Sequence, residues 1–356
     1  MSDTPRLTLG ALRKEFQSRN WHRKATGPVV RELIVHSAFA IFGAVIAFTA
    51  ESTAMWVLGI IVSAFGTLGV TTNTHTSTHF ATSDSRRVNR FLAGYGYPLF
   101  AGMGMTYWHR SHIEVHHPNP NIHGVDADHD FMPFFAVTAP ELEGSTGGWR
   151  AYYAKIQYYV FPLLVWLNVF TRQRASFAHV FKCLADRETR TALHWIDLGL
   201  LLAHFTLWIG VPSLFVGLEA AVYVYLARQF VLGYIVYAVL APAHYVPEAI
   251  CIEQDGRPTD PVLLQTATTV NFRTGPLGRL LCSGLEYQIE HHLFPGYSHV
   301  FYSRMSPYVR EFCRQNGYPY RTLGWPEAVW KTMTMLRQPK PVEPTVSRAA
   351  PQPPSA

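Results

Sequence analysis

The 356-residue chain is short of charge and of cysteine. Only 15% of its side chains are charged against 48% apolar, a balance poor for a water-soluble enzyme. Its four cysteines, Cys183, Cys251, Cys282 and Cys313, stand apart with no Cys-x-x-Cys pair, which excludes a thiolate cluster and fits a reduced compartment. Met1–Arg31 lacks the apolar core of a cleavable signal, so the first apolar run is expected to direct insertion. No nucleic-acid-binding module accompanies the net charge of +6, which suits anionic lipid headgroups or an acidic redox partner. No internal repeat is present. Basic residues are absent from Leu33 to Thr78, and Arg228 is the only one from Thr191 to Ala243.

Those two basic-poor regions hold four runs long enough to cross the hydrocarbon core: Leu33–Thr49, Thr53–Thr72, Leu193–Val211 and Leu218–Leu240. Arg6, Arg13, Lys14, Arg19, Arg23, Lys24 and Arg31 precede the first, while the turns near Glu51 and Pro212–Gly217 carry no base, which predicts a cytoplasmic N-terminus. Two hairpins return the chain to that side. The expectation is an all-α, multi-pass integral membrane protein of the bacterial inner membrane or an ER-type membrane, with four transmembrane helices in two hairpins. A cytoplasmic helical cap would hold a histidine-rich dinuclear metal site, with both termini on that side. The predicted divisions are an N-terminal segment 1–32, hairpins 33–78 and 191–244, cytoplasmic regions 79–190 and 245–337, and a disordered Pro-rich tail 338–356. The runs Phe91–Met105 and Tyr158–Phe170 are too short to cross and are read as interfacial or re-entrant helices.

Histidine, in contrast, is abundant and clustered. His75 and His79 close the second run, His112, His116 and His117 follow with Pro118 behind them, His244 ends the fourth run, and His291 and His292 lie in Gln288-Ile289-Glu290-His291-His292-Leu293-Phe294-Pro295. Neutral imidazoles can converge on metal without building up charge, and eight supply four to each of two ions while leaving positions open. On an α-helix, His75 and His79 share a face, as do His112 and His116, with His117 turned about 100° away toward a second ion. His109 shares the face of His112 and is expected beside the site. Asp126, Asp128, Asn271 and Gln288 are expected as its supporting or water-mediated partners, with Glu114, Asp130 and Glu290 as further carboxylates. His36 and His204 lie within spans with nothing nearby to pair with them. His123, His129 and His299 are irregularly spaced near the clusters, and His22, His179 and His194 read as surface or interfacial. Ligand type alone leaves zinc and iron both open, since zinc binds such donors but has no redox chemistry.

Over nearly its whole length the chain resembles the membrane fatty acid desaturases, in the front-end and acyl-lipid branch whose third histidine box begins with Gln. The resemblance is carried by His75–His79, by His112–His117 with Asn119, Gly124, Asp126 and Asp128, and by His244. Gln265-x-x-Thr268-x-x-Asn271, followed by Gly284 through Pro295, is its most specific part. It implies a four-span enzyme with two iron ions on the eight histidines. O2 would be its co-substrate, and a double bond would be made in a long acyl chain carried by lipid, coenzyme A or acyl carrier protein. No His-Pro-Gly-Gly segment marks a fused cytochrome b5, so electrons would come from an external ferredoxin or cytochrome b5 with its reductase. Three positions depart from the pattern: Gln288 stands where relatives gain a histidine ligand, Leu240 where acyl-CoA relatives have an Asn, and Glu286 where Asn is common. The implied substrate path is a narrow apolar tunnel.

Two other readings use the same residues. A di-iron membrane hydroxylase of lipid or hydrocarbon shares the spacing but not the Gln-type third box. A metal transporter or sensor would place its ligands at mid-depth of the spans, whereas these lie at the span ends.

Overall fold

The computed structural model describes residues 7–349. Among them four helices are long and apolar enough to cross a membrane: Thr26–Thr49, Thr53–Thr78, Ala192–Val216 and Leu218–Ala243. The first two pack through small residues. A Cβ on Gly43 would lie 2.3 Å from the backbone nitrogen of Ser63, and one on Gly66 would lie 2.1 Å from that of Ala40, so glycine alone permits the approach. The Ser63 hydroxyl donates to the Ala40 carbonyl across the same contact at 2.8 Å. The second hairpin turns at Gly217, whose φ of +83° favours glycine. Outward apolar residues such as Phe42, Leu214 and Phe215 are left largely exposed, as befits helices facing lipid. Arg228 instead points inward, with its guanidinium 3.7 Å from the centre of the Trp208 ring.

One expectation about the spans needs correction. His36 and His204 do have partners: His36 Nε2 lies 3.4 Å from Glu32, and His204 bonds the Leu99 carbonyl at 3.0 Å and the Tyr225 hydroxyl at 3.0 Å. Leu99 and Tyr225 come from distant parts of the chain, so local sequence did not reveal them. Neither of the two shorter apolar runs forms a helix long enough to cross. The first becomes the helix Arg86–Gly94 continued by a π-helical segment, Tyr95–Ala101, which buries Tyr97 and Phe100. The second is broken into Gln157–Leu164, Val165–Leu167 and the start of Asn168–Ala185.

The remaining segments form one helical head at the end of the bundle where Thr78 and Ala243 emerge. Two short parallel strand pairs tie its C-terminal part: Cys251–Ile252 with Val342–Glu343, and Asn271–Arg273 with Thr322–Gly324. The N-terminal helix Leu9–Ser18 is capped by the Thr8 hydroxyl. It buries Leu12 and Phe16 against Ile289, Phe294, Tyr302 and Met305, sealing the segment that carries His291 and His292.

The tail expected to be disordered from Gln338 is ordered as far as Ala349. Lys340 is buried and donates to the carbonyls of His244, at 2.9 Å, and Ala249. Arg348 pairs with Asp260, and the Ala349 amide donates to Gly317 at 3.0 Å. Pro-rich composition correctly signals that the tail has no core of its own, but it is silent on carbonyls elsewhere that await a donor. Residues 350–356 lie outside the described residues.

Candidate metal centre

Four elements deliver the eight histidines. His75 sits in the last turn of the second span and His79 caps it. His112 and His116 lie in the π-helical segment His109–His116, with His117 as its cap. His244 follows the turn Ala241–Ala243 that closes the fourth span, and His291 and His292 lie in the short helix Gln288–Leu293.

The ligand atoms sort into two groups, each within 4.8 Å: His75, His79, His112, His117 and His291 in one, and His116, His244 and His292 in the other. Nε2 atoms follow one another at 3.1 Å from His75 to His291, 3.1 Å from His291 to His117 and 3.2 Å from His117 to His112. Two nitrogens about 2.1 Å from a shared ion, at tetrahedral or octahedral angles, lie about 3.0–3.4 Å apart, so this spacing fits cis ligands of one ion. The buried Nε2 atoms of His79 and His292 have no hydrogen-bond partner among the described residues, as a metal-ligating nitrogen should. The donor set therefore fits a pair of borderline metal ions.

The grouping corrects the α-helical reading in two respects. Five imidazoles cluster on one side and three on the other, where four each were expected, and His117 joins His112 while His116, which also lies with His112 beside Asp128, joins the other group. A π-helix has more residues per turn than an α-helix, so the residue above His112 is five positions on instead of four.

Around the imidazoles lies a second layer of partners. Tyr97 OH meets His75 Nδ1 at 2.9 Å, Asp126 meets His116 Nδ1 at 2.9 Å, Gln265 Oε1 meets His292 Nδ1 at 2.8 Å, and Tyr302 OH meets His291 Nδ1 at 3.3 Å. Such contacts fix the ring and turn the other nitrogen inward. Asp126 also accepts from the amides of Asn121 and Asp128. Asp128 lies 3.7 Å from His112 and pairs with Arg172 at 2.8 Å. Gln265 donates to the His117 carbonyl at 2.8 Å, so one side chain braces both histidine groups.

Other expected partners sit elsewhere. Asn271 donates to Glu290 at 2.7 Å and accepts from the Ile289 amide at 2.8 Å, holding the third-box helix from behind. His109 is half exposed and turned toward Glu114, 3.6 Å away, outside the centre. Gln288 is buried at the start of its helix, one turn before His291 and His292. His299, set aside on spacing, is buried against Thr76 at 2.6 Å and Glu32 at 3.4 Å. For Gln265 the sequence motif was a signal; for Tyr97, Arg172 and Glu32 the sequence offered none.

Burial, and then the neighbouring imidazoles, hold His79, His112, His117, His291 and His292 well below the ordinary histidine range. Burial also opposes charge on His116, but the carboxylate of Asp126 outweighs it and raises this histidine. Asp128 is buried too, yet the Arg172 charge keeps it below the usual carboxylate range. Those five rings are thus held neutral, while His116 has a carboxylate behind it.

A model of the fatty acid desaturase family matches residues 51–324, a stretch containing all eight histidines. The chain belongs to the fatty acid desaturase family. Among similar desaturases are the Delta(5) fatty acid desaturase fat-4 of Caenorhabditis elegans, 27% identical over 74% of this chain and 59% of the relative. The sn-1 linoleoyl-lipid 6-desaturase of Synechocystis is 25% identical over 80% of this chain and 78% of the relative. The chloroplastic acyl-lipid (7-3)-desaturase of Chlamydomonas reinhardtii is 28% identical over 80% and 56%. This desaturase-family chain thus spans only 59% of the length of the nematode relative.

Proposed function

We propose that this protein is an O2-dependent di-iron desaturase that makes a double bond in a long-chain fatty acyl group, with an acyl lipid as the favoured carrier. The observation that carries this reading is the meeting of the histidine centre with a narrow apolar cavity. That cavity, about 50 Å³, is lined by His75, Trp108, Leu68, Leu232, Val236 and Leu240 among others. Leu232, Val236 and Leu240 recur every four residues and so form one apolar stripe of the fourth span on the side of His75.

His75, His79, His112, His117 and His291 would hold one iron, and His116, His244 and His292 the other. Iron bound there would supply the redox chemistry by which O2, two electrons and two protons take two hydrogens from neighbouring methylenes, leaving a double bond and two waters. The protein's own part is placement and protection. Tyr97, Asp126, Gln265 and Tyr302 orient the rings, the apolar stripe excludes water, and His75, which lines the cavity, marks where the chain passes the centre. The basic N-terminal segment supports a cytoplasmic head and termini, and the electrons would come from a ferredoxin or a cytochrome b5.

The test is metal and product together. Purified protein should hold about two irons per chain, because the two histidine groups supply two ions. Supplied with O2 and an electron donor, it should yield acyl chains lighter by two hydrogens. Products heavier by one oxygen, or zinc at full occupancy from iron-replete cells, would overturn the reading.

A further inference from the structure

A second set of ligands lies away from the histidine centre. His179 and Cys183 stand four residues apart on the helix Asn168–Ala185, and His194 lies in the first turn of the third span. One ligand atom from each falls within 4.8 Å of the other two, and none belongs to either histidine group. We propose that His179, Cys183 and His194 form a separate site for a thiophilic divalent cation such as Zn2+, with water completing its coordination.

The geometry is close to what such an ion requires. Ligands of a tetrahedral ion, about 2.3 Å away for sulfur and 2.0–2.1 Å for nitrogen, lie about 3.6 Å apart. Cys183 Sγ is 3.8 Å from His179 Nε2 and 4.0 Å from its Nδ1, so it lies between the two ring nitrogens, and the imidazole would turn to bring one of them onto a shared ion. The i, i+4 spacing puts both on one face of their helix. His194 Nδ1 lies 3.1 Å from both the amide and the hydroxyl of Thr191. Metal on its Nε2 moves the ring proton to Nδ1, where the Thr191 hydroxyl accepts it; the helix-capping amide contact is given up in exchange. Of the four cysteines, Cys183 alone is not buried, so an ion can reach it. Partial burial and then the neighbouring His194 lower His179, which favours the neutral ring that a metal takes.

The site also has a structural consequence. It would clamp Asn168–Ala185 to the third span, and both helices hold the second histidine box. Arg172, on the first, pairs with Asp128. Asp197, on the second, accepts from the amides of Met105 and Thr106 at 2.8 Å, capping the helix that leads into His109–His116.

Cobalt titration of the full-length protein separates this site from the centre, because the eight histidines include no sulfur ligand. One equivalent of Co2+ should produce a thiolate-to-cobalt absorption band, and Zn2+ should abolish it. Zn2+ should also slow alkylation of Cys183, mapped by peptide mass spectrometry, by about tenfold or more, since metal-bound sulfur is withdrawn from reaction. Cys183→Ser and His179→Asn should lose the band while keeping the centre's own metal content. No band in the unaltered protein, alkylation unchanged by Zn2+, or an undiminished band in Cys183→Ser would each overturn the proposal.

Discussion

His112 and His117 bring their Nε2 atoms to 3.2 Å although five residues separate them, while His116, four residues from His112, looks into the other group. The cause is the π-helical winding of His109–His116. One backbone irregularity thus decides which side chain serves which side of the centre, and π-helical turns are often found at functional sites for this reason.

That division predicts how iron is lost. Ala at His117 or His79 should remove iron from the five-histidine group, and Ala at His116, His244 or His292 from the three-histidine group. Each single variant should fall from about two irons per chain toward about one, because the two ions have separate ligands. The combination His116→Ala with His292→Ala should lose no more than either alone, whereas His116→Ala with His117→Ala should lose both. Elemental analysis decides; equal loss from the two double variants would mean that the groups are not separate.

Gln265 should matter more than its neutral character suggests. Its Oε1 meets His292 Nδ1 and its Nε2 donates to His117 O, so Gln265→Leu frees one ring and one backbone turn at once. Loss of such a supporting contact typically costs about 10–100-fold in metal affinity or activity. Gln265→Glu keeps the acceptor for His292 and should recover part of the loss. Iron affinity measured by competition with a chelator is the check, and equal affinity in Gln265→Leu and the parent would contradict it.

The four spans, the family and the eight histidines were legible because each is written in local residues: apolar length, spacing, and motif. The partition of the histidines was not, since it depends on a π-helical turn that spacing arguments treat as an α-helix. Nor was the tail. Lys340 is ordered by carbonyls at His244 and Ala249, about ninety residues earlier, and nothing local announces that contact. His299 was passed over for the same reason, because its partners Thr76 and Glu32 belong to the first hairpin.

Glu286 should make stability depend on pH. Burial pushes its carboxyl from 4.5 up to about 7, against nearby backbone amides and Arg279 that favour the charge. Between those values the folded protein binds a proton that the unfolded chain releases, so stability is greatest below about 4.5 and falls as pH rises through 7. The loss is on the order of 3 kcal/mol by 1.36 kcal/mol per unit. Glu286→Gln, which cannot ionise, should flatten this part of the profile and be the more stable protein at pH 8. Thermal unfolding in detergent at pH 5, 6.5 and 8 is the check; parallel curves for both proteins would show that Glu286 is already ionised in the folded protein across this range, as it is in the unfolded chain.

Topology gives a separate test. The head that carries the centre and the turn at Glu51 lie at opposite ends of the first hairpin, so single cysteines at Asp130 and Glu51 should label from opposite sides of the membrane in intact cells. Cysteines at Asp130 and Arg337 should label from the same side, that of the cytoplasm. If Asp130 and Arg337 differed, an odd number of crossings would separate them, and the histidine groups could not meet.

Gln288 poses the last question, because the three-histidine group is short of imidazoles by comparison with its neighbour. Gln288 is buried four residues before His292 on the same helix, so the two side chains share a face. If that face borders the iron held by His116, His244 and His292, Gln288→His adds a ligand where the parent leaves a position open. An iron with that position filled is held as well or better but offers less room for O2. The expected result is iron content at the parental level or above, with product formation reduced. Gln288→Ala, which adds no ligand, should keep more activity than the histidine variant. Full activity in Gln288→His would show that position 288 does not face the iron, and the shortfall of imidazoles in that group would need to be made up by another residue.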